Sequence, residues 1–224
     1  MGVVLLHGLG QQSADYHRFS RFLNRYAIEV WGIDHIGHGL SEGDVDGLPS
    51  VDELATSALQ LISIAQSANA AIPLALVGHS LGAGTALIAM RSTSSAAQHI
   101  SSVALTGTPE RAHTLSVPAP EVPTLVLHGQ DDRRAPIDPI RSWCTGRQTV
   151  TLREFPDAGH DLLHEPIHLA VSTAIVDFVL AQASDDLGPA KHCEAPNLHS
   201  SAMRRASAGR NHSVARARQA LPMR

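Results

Sequence analysis

Short apolar segments alternate along the chain with longer amphipathic ones. The segments VVLL, LALV and TLVL are nearly continuous in aliphatic residues and do not alternate with polar ones. Strands of this composition are typical of a parallel sheet that is buried on both faces, because helices cover each face. The alternation therefore predicts an α/β fold with a doubly wound, mostly parallel sheet of about six strands.

The order of these segments gives the predicted elements. Strands are predicted at 3–6, 28–33, 74–77, 103–106, 124–127 and 149–155, and helices at 16–26, 51–68, 81–91, 136–144 and 166–183. Polar and glycine-rich stretches follow five of the strands directly, namely HGLG, DHIGHGLS, GHSLG, HGQDD and DAGHD. In open sheets of this kind, ligand-binding groups gather beyond the carboxyl ends of the strands. We therefore expect a site at that edge.

Charge divides the 224 residues into two parts. The whole chain carries a formal net charge of −4, but residues 184–224 carry +4 and the remainder −8. Residues 184–224 are poor in large apolar side chains, so they cannot bury enough surface to offset their ordering entropy. We predict a folded domain at 1–183 and a basic, disordered tail at 184–224. No aromatic residue accompanies these basic ones, so nucleic acid is not an expected partner, while peripheral membrane contact is left open.

Three features of the sequence bear on location. No apolar run approaches the ~20 residues of a transmembrane segment. The first residues, MGVVLLHGLG, lack the charged leader of a signal peptide. Only two cysteines are present, Cys144 and Cys193, which are too few for a disulfide framework. We expect a cytoplasmic protein.

The stretch LVGHSLGAG places Ser80 between Gly78 and Gly82 where a predicted strand meets a predicted helix. A G-x-S-x-G motif in this context is typical of a nucleophile elbow, in which the serine backbone is strained and the glycines avoid collisions. An ordinary glycine-rich turn is the alternative. We expect Ser80 to be a nucleophile, with the N-terminal N–H groups of the next helix facing the negative charge that develops.

A serine nucleophile needs a base that takes its proton and an acid that orients the base. His160 follows the last predicted strand in PDAGHD, and Asp131 and Asp132 follow the fifth in HGQDD. The chain order Ser, Asp, His is the one expected for this architecture. His160 is therefore the candidate base, and the residues alone leave two candidates for the acid.

Other histidines near these loops are interpreted as structural. Those that adjoin turns are expected to be hydrogen-bonded scaffold groups: His7, His79 and His128. His35 and His38, with Asp34, could suggest a metal site. A glycine-rich loop with no further carboxylate or cysteine is a poor cage for a metal, so we expect ordinary loop packing there.

The segment after His160 carries two more histidines and two more acids. His164 and His168 are four residues apart, but no acid partner is evident, so they are expected to be solvated or to cap a helix. Asp157 and Asp161 are expected to form a turn or a helix start.

Two stretches, LLHGLGQQSADYHRFSRFL and VWGIDHIGHGLSEG, together with the elbow carry a family resemblance. Over residues 3–183 the chain resembles the α/β-hydrolases and, within them, the monoacylglycerol lipase and lysophospholipase group of serine aminopeptidase S33 type. The resemblance implies an acid in a G-x-x-D pattern, which selects Asp132 and leaves Asp131 as the alternative. It also implies an oxyanion hole made by the backbone N–H groups of Leu9 and Leu81.

The chain departs from that group at three points. Ile36 stands where the similar enzymes usually have arginine. Only residues 108–123 separate the fourth and fifth predicted strands, whereas lipases of this type insert a helical cap there. The chain also begins on the strand before HGLG, so the antiparallel strands that usually precede it are not expected. A site with almost no cap should be shallow, which limits the ~0.8 kcal/mol gained per buried methylene.

These features together predict a serine hydrolase that cleaves carboxylic esters through Ser80, His160, Asp132 and an acyl-enzyme. The expected partner is a small-molecule ester with a short acyl chain, or one of monoacylglycerol or lysophospholipid type, and no cofactor or metal is expected. A thioesterase, lactonase or peptidase would use the same residues. A noncatalytic binding protein derived from an incomplete hydrolase is the alternative of a different class.

Overall fold

The computed structural model describes residues 1–44, 47, 49–109 and 118–186. The strands are β1 Gly2–Leu6, β2 Glu29–Ile33, β3 Leu74–His79, β4 Ile100–Thr106, β5 Thr124–Gly129 and β6 Val150–Phe155. The helices are α1 His17–Asn24, α2 Val51–Ala68, α3 Leu81–Ala89, α4 Ser95–Gln98, α5 Ile137–Cys144 and α6 His168–Asp186. Every predicted strand and helix is present. Helix α4 and a 3-10 helix at Ser13–Tyr16 were not predicted, because four residues are too few to show a helical period.

The six strands form one sheet in the order β2-β1-β3-β4-β5-β6, and each neighbouring pair in it is parallel. Leu6 of β1 lies opposite Gly78 of β3, and His79 lies opposite Thr106 of β4. The carboxyl ends of the central strands therefore lie level with one another. This register brings the loops that follow them to one edge, as the predicted α/β fold requires.

Helices cover both faces of the sheet, and successive residues of β1 contact opposite layers. Val3 and Leu5 pack in a cluster with α1 and α6, whereas Val4 and Leu6 pack in a second cluster with α2, α3 and α5. Side chains alternate between the two faces of a strand, and here both faces are buried. The continuous apolar composition of the strands follows directly from this arrangement.

Helix α2 begins and ends at the residues predicted for it, and its start is fixed by a cap made by the side chains of Ser50 and Glu53. The Ser50 hydroxyl accepts a hydrogen bond from the Glu53 N–H at 3.3 Å. In return, the Glu53 carboxylate accepts one from the Ser50 N–H at 2.9 Å. This reciprocal pair is a capping box, which fixes a helix N-terminus from sequence-local contacts alone.

Two predictions fall wholly or partly outside the described residues. Residues 110–117, in the connection where little cap is expected, lie outside them, as does the predicted tail from residue 187 onward. Helix α6 continues to Asp186, three residues past its predicted end. The division of the chain at residue 184 stays a prediction. Among the helices that the structure describes, none combines the length and apolar character needed to cross a membrane.

Candidate active site

Ser80 occupies a sharp turn between β3 and α3. Its φ of 51° is in the left-handed region that side chains other than glycine rarely adopt, and its N–H donates to the Thr106 carbonyl at 2.9 Å. A Cβ added at Gly78 would collide with the Gly82 carbonyl, and one added at Gly82 would collide with the Leu6 carbonyl. The two glycines are therefore required by close backbone approach, which is the geometry of a nucleophile elbow.

The Ser80 hydroxyl lies at one end of a chain of hydrogen bonds. Ser80 Oγ is 2.9 Å from His160 Nε2, and His160 Nδ1 is 2.7 Å from Asp132 Oδ2. With the Nδ1 proton donated to the carboxylate, the Nε2 lone pair faces the serine hydroxyl. The three side chains come from loops after β3, β5 and β6, so the fold brings together residues that are 80 and 28 positions apart in sequence.

Asp132, rather than Asp131, is the carboxylate against His160. Asp132 is 5% exposed, while Asp131 is an exposed residue whose N–H donates to the Ala158 carbonyl. The second oxygen of Asp132 accepts hydrogen bonds from the N–H groups of Arg134 at 2.9 Å and Ala135 at 2.8 Å. These bonds fix the carboxylate in the plane in which it meets the imidazole.

The environment of Asp132 keeps its carboxyl group ionised. Burial alone would raise the pKa of Asp132, but hydrogen bonds from His128, His160 and the Ala135 N–H outweigh it and hold the pKa well below its ordinary value. A buried carboxylate in this position stabilises positive charge on the neighbouring imidazole. The group can therefore support His160 while it carries a proton.

The two backbone groups expected to form an oxyanion hole belong to Leu9, in the loop after β1, and to Leu81, the residue after Ser80. Among the described residues, neither the Leu9 N–H nor the Leu81 N–H has a hydrogen-bond partner. Leu81 is the first residue of α3, where the helix dipole favours negative charge. Leu9 follows Gly8, which lies so close to the elbow that an added Cβ would be 3.3 Å from Ser80 Cβ. Both N–H groups are therefore free to donate hydrogen bonds to an oxyanion.

Comparison of the chain with known proteins shows the family to which it belongs. Residues 2–119, more than half of the 224, match the family model described as serine aminopeptidase, S33. The chain belongs to the serine aminopeptidase S33 family. The predicted resemblance to the monoacylglycerol lipase group is also confirmed. Monoglyceride lipase from Homo sapiens is 32% identical over 127 residues, which are 56% of this chain and 42% of the lipase. That match spans less than half of the length of the curated relative.

Solved structures show that the S33 chain has the α/β-hydrolase fold. The monoacylglycerol lipase of Paleococcus ferrophilus superimposes with a TM-score of 0.69 at 20% identity, over 81% of this chain and 94% of that one. A serine hydrolase from Xanthomonas campestris, described as being without a lid, superimposes with a TM-score of 0.68 at 20% identity, over 81% of this chain and 82% of that one. At this identity the likeness concerns the fold alone.

Three further histidines of this S33 member bind backbone or hydroxyl groups in the loops around the elbow. The ring of His7 bridges the Gly8 carbonyl at 2.8 Å and the His35 N–H at 2.9 Å, which defines a neutral tautomer with its proton on Nδ1. His79 bonds Thr106 Oγ1 at 3.0 Å, and burial lowers the pKa of His79 to about 4. His128 Nε2 lies 2.8 Å from the Ala135 carbonyl and 3.3 Å from Asp132 Oδ2.

His35 and His38 lie close to His7 in a buried group. In the part of the chain that the structure describes, neither ring nitrogen of His35 has a hydrogen-bond partner. No group of three metal-binding side chains occurs in those residues either. Asp34 accepts hydrogen bonds from the N–H groups of Ser13 and Leu40 at 2.7 and 2.9 Å. Its carboxylate thus orders the loop after β2.

The expectation that His164 lacks an acid partner is wrong. His164 Nδ1 is 2.7 Å from Asp161 Oδ1, and its Nε2 is 3.1 Å from the Asp15 carbonyl. The bond to Asp161 raises the pKa of His164, and both of its ring nitrogens face acceptors, as suits an imidazolium. Spacing along the chain suggested a helix face, but residues 161–164 form a turn in which positions three apart meet.

Asp161 also contacts a residue that sequence reasoning missed. Gln11 Nε2 donates to Asp161 Oδ2 at 3.1 Å, and Gln11 Oε1 accepts from the Gly8 N–H at 3.0 Å. The Tyr16 hydroxyl donates to the same Gln11 oxygen at 2.6 Å. Gln11 thus links the loop after β1 to the loop after β6. Its partner is 150 positions away, so no local pattern could reveal this contact.

The two remaining residues of this segment behave much as expected. Asp157 lies in the turn after β6 with a φ of 54°. His168 is the first residue of α6, and its Nδ1 bonds the Glu165 carbonyl at 2.9 Å. Neither side chain contacts Ser80 or Asp132.

Proposed function

We propose that this S33 chain is a carboxylic ester hydrolase that works through Ser80, His160 and Asp132. The observation that supports this most strongly is the chain of hydrogen bonds of 2.9 and 2.7 Å that joins these residues at a strained elbow. A left-handed serine backbone costs roughly 1–3 kcal/mol and persists only where the surrounding structure enforces it. A noncatalytic scaffold has no need for such a turn beside a paired base.

In the acylation step, Ser80 Oγ attacks the ester carbonyl carbon while the hydroxyl proton passes to His160 Nε2. The carbonyl π electrons move to the oxygen, and the N–H groups of Leu9 and Leu81 bind the resulting oxyanion. Asp132 stabilises the imidazolium that has formed. The tetrahedral species then collapses, the bond to the alcohol oxygen breaks, and that oxygen takes the proton from His160. Ser80 is left as an acyl ester.

Deacylation repeats these steps with water as the nucleophile. His160 Nε2 accepts a proton from water as the water oxygen attacks the acyl carbon. When this second tetrahedral species collapses, Ser80 Oγ leaves and recovers the proton from His160. The products are a carboxylic acid and free enzyme.

The substrate class follows from the loops around the elbow. Relatives named monoglyceride lipase and monoacylglycerol lipase match the chain, which supports an ester of glycerol or a similar small alcohol. Leu9, Ile36 and Leu40, which are 50%, 38% and 98% exposed, belong to the loops after β1 and β2. We expect these apolar side chains to contribute to an open surface for a short acyl chain. A cytoplasmic location and the lack of a nucleic-acid partner stay predictions from composition.

A fluorophosphonate probe tests this proposal. Wild-type protein should gain one phosphonyl group, and Ser80→Ala should gain none, as measured by intact mass. Ser63→Ala is the matched control, because Ser63 lies on the exposed face of α2 and its hydroxyl bonds only the Leu59 carbonyl at 3.0 Å. Folded wild-type protein that takes up no probe would contradict the proposal and favour the noncatalytic alternative.

The family description also names a peptidase, and an amide would use the same residues. Amides have a poorer leaving group than esters, so a peptidase must protonate the departing nitrogen efficiently. A matched pair of substrates separates the two, namely a 4-nitrophenyl ester and a 4-nitroanilide of the same acyl group. We expect turnover of the ester only. A thioester and a lactone tested beside them examine the remaining alternatives.

A further inference from the structure

The carboxylate of Glu165 binds the backbone on both sides of His160. Glu165 Oε2 accepts a hydrogen bond from the Gly159 N–H at 2.8 Å, and Oε1 accepts one from the Asp161 N–H at 3.0 Å. Within the described residues, these are the hydrogen bonds that the two N–H groups donate. One side chain thus spans the residue proposed as the base, with one oxygen on each flanking peptide.

Glu165 is itself held in place by backbone hydrogen bonds. Its N–H donates to the Asp161 carbonyl at 3.1 Å, and its own carbonyl accepts from the N–H of His168 at 2.9 Å. The carboxylate therefore projects from the turn that begins α6. It also lies close against the loop, since a Cβ added at Gly159 would be 2.9 Å from Glu165 Oε1.

Other backbone hydrogen bonds also anchor the loop after β6 near His160, including those from the His164 and Glu165 N–H groups to the Asp161 carbonyl. The Ala158 carbonyl accepts from the Asp131 N–H at 3.0 Å, and the backbone turns through a positive φ at Asp157. The His160 ring must meet two partners at once, at 2.7 Å on one nitrogen and 2.9 Å on the other. Both requirements hold only if the backbone sets the direction of the Cα–Cβ bond. Hydrogen bonds on each flanking peptide restrict that direction.

We propose that Glu165 is a positioning residue that holds His160 in register with Ser80 and Asp132. The proposal rests on the proposed function, because it assigns His160 as the base. Glu165 touches the backbone and not the reacting atoms, so its loss should change catalysis through geometry. A displacement of about 1 Å in a catalytic group can cost roughly 100-fold in rate.

The substitution that tests this is Glu165→Gln. A carboxamide has one acceptor oxygen, and its NH₂ group would face the second N–H, so one of the two hydrogen bonds is lost. We expect kcat for a 4-nitrophenyl butyrate substrate to fall by about 10- to 100-fold, with KM changed by less than about threefold. Rates are expressed per folded site, which is counted by fluorophosphonate labelling taken to completion.

Glu53→Gln is the matched control. Glu53 also accepts a hydrogen bond from a backbone N–H, that of Ser50 at 2.9 Å, but it does so at the start of α2. The control should lose a comparable amount of thermal stability and keep its kcat. A merely structural role for Glu165 predicts that the two variants behave alike in Tm and in kcat.

Amide hydrogen exchange of Gly159 and Asp161 provides a readout that does not depend on activity. In Glu165→Gln, exchange at one or both amides should become faster, whereas the Glu53→Gln control should leave it unchanged. Faster exchange with an undiminished kcat would overturn the proposal, and so would exchange that stays as slow as in the wild type. Wild-type protein that hydrolyses no ester would instead refute the proposed function.

Glu165→Asp covers the case in which the glutamine variant does not fold. It keeps the charge but shortens the side chain by one methylene, so it cannot reach both N–H groups. Its kcat should fall by more than about threefold relative to the wild type. A Glu165→Asp variant with wild-type kcat and faster exchange at both amides would contradict the positioning role.

Discussion

Two groups of histidines lie at the same edge of the sheet, and they differ in their partners. On the side of β5 and β6, His160 contacts Asp132 at 2.7 Å and Ser80 at 2.9 Å. On the side of β1 and β2, His35 is fully buried among histidine rings with no carboxylate bonded to it. Burial lowers the pKa of His35 to about 3. The carboxylate of Asp132 can stabilise positive charge on the His160 ring, whereas no carboxylate among the described residues bonds the His35 ring.

The largest expected effect comes from removing the nucleophile or the base. Ser80→Ala and His160→Ala should each lower kcat/KM for ester hydrolysis by about four to six orders of magnitude, because no other group in the site can attack or transfer the proton. Steady-state hydrolysis of 4-nitrophenyl acetate measures the loss, with Ser63→Ala as the control. Activity of either variant within tenfold of the wild type would contradict the proposed roles.

Substitution of the acid, Asp132, should cause the next largest loss of activity. Asp132→Asn should lower kcat by roughly three to four orders of magnitude, since an amide cannot stabilise the imidazolium and favours the wrong tautomer. Asp131→Asn, one residue away and exposed, is the matched control and should stay within about threefold of the wild type. If the second variant were inactive and the first active, the orienting role would belong to Asp131.

The choice between Asp131 and Asp132 illustrates which parts of the fold and of the site could be predicted from the sequence. The sheet was predictable because Val3 and Val4, which face opposite sides of β1, are both apolar. Such a run of adjacent apolar residues can be seen in the sequence and indicates a strand buried on both faces. The elbow was predictable because Gly78 and Gly82 flank Ser80 at a fixed spacing. The contacts of Gln11 with Asp161, and the bracketing of His160 by Glu165, depend on how separate loops meet or turn. No periodicity or composition encodes such contacts, so only the structure could show them.

Acyl length should have a moderate effect. Since only residues 107–123 connect β4 to β5, each added methylene should gain progressively less burial than the ~0.8 kcal/mol of full transfer. We expect kcat/KM for 4-nitrophenyl esters from acetate to palmitate to peak at a short chain and then to level off or decline. A steady rise up to palmitate with monomeric protein would show that an enclosed acyl site exists.

The buried histidines with lowered pKa values should affect stability rather than activity. His35 and His79 have pKa values lowered by burial to about 3 and about 4, so the unfolded chain binds more protons than the folded one between these values and about 6.5. The free energy of unfolding should therefore be largest above pH 6.5 and should fall as the pH is lowered toward 4.

A substitution at His35 sharpens this expectation. His35→Leu should reduce the slope of unfolding free energy against pH by up to about 1.4 kcal/mol per pH unit between pH 6 and 4, because one titrating group is removed. Urea unfolding at several pH values measures the slope, and His17→Leu, at an exposed position, is the control. A slope unchanged by His35→Leu would show that this ring is not what makes the fold sensitive to acid.

The central claim is that Ser80 and His160 act as one unit, and a double-mutant cycle tests it most directly. The kcat/KM of Ser80→Ala, His160→Ala and the double variant is measured for one ester under one set of conditions. Groups that share a mechanism give strongly non-additive losses. The account predicts that the double variant is within about tenfold of the poorer single variant. Losses that multiply would show that the two residues act independently, and would contradict it.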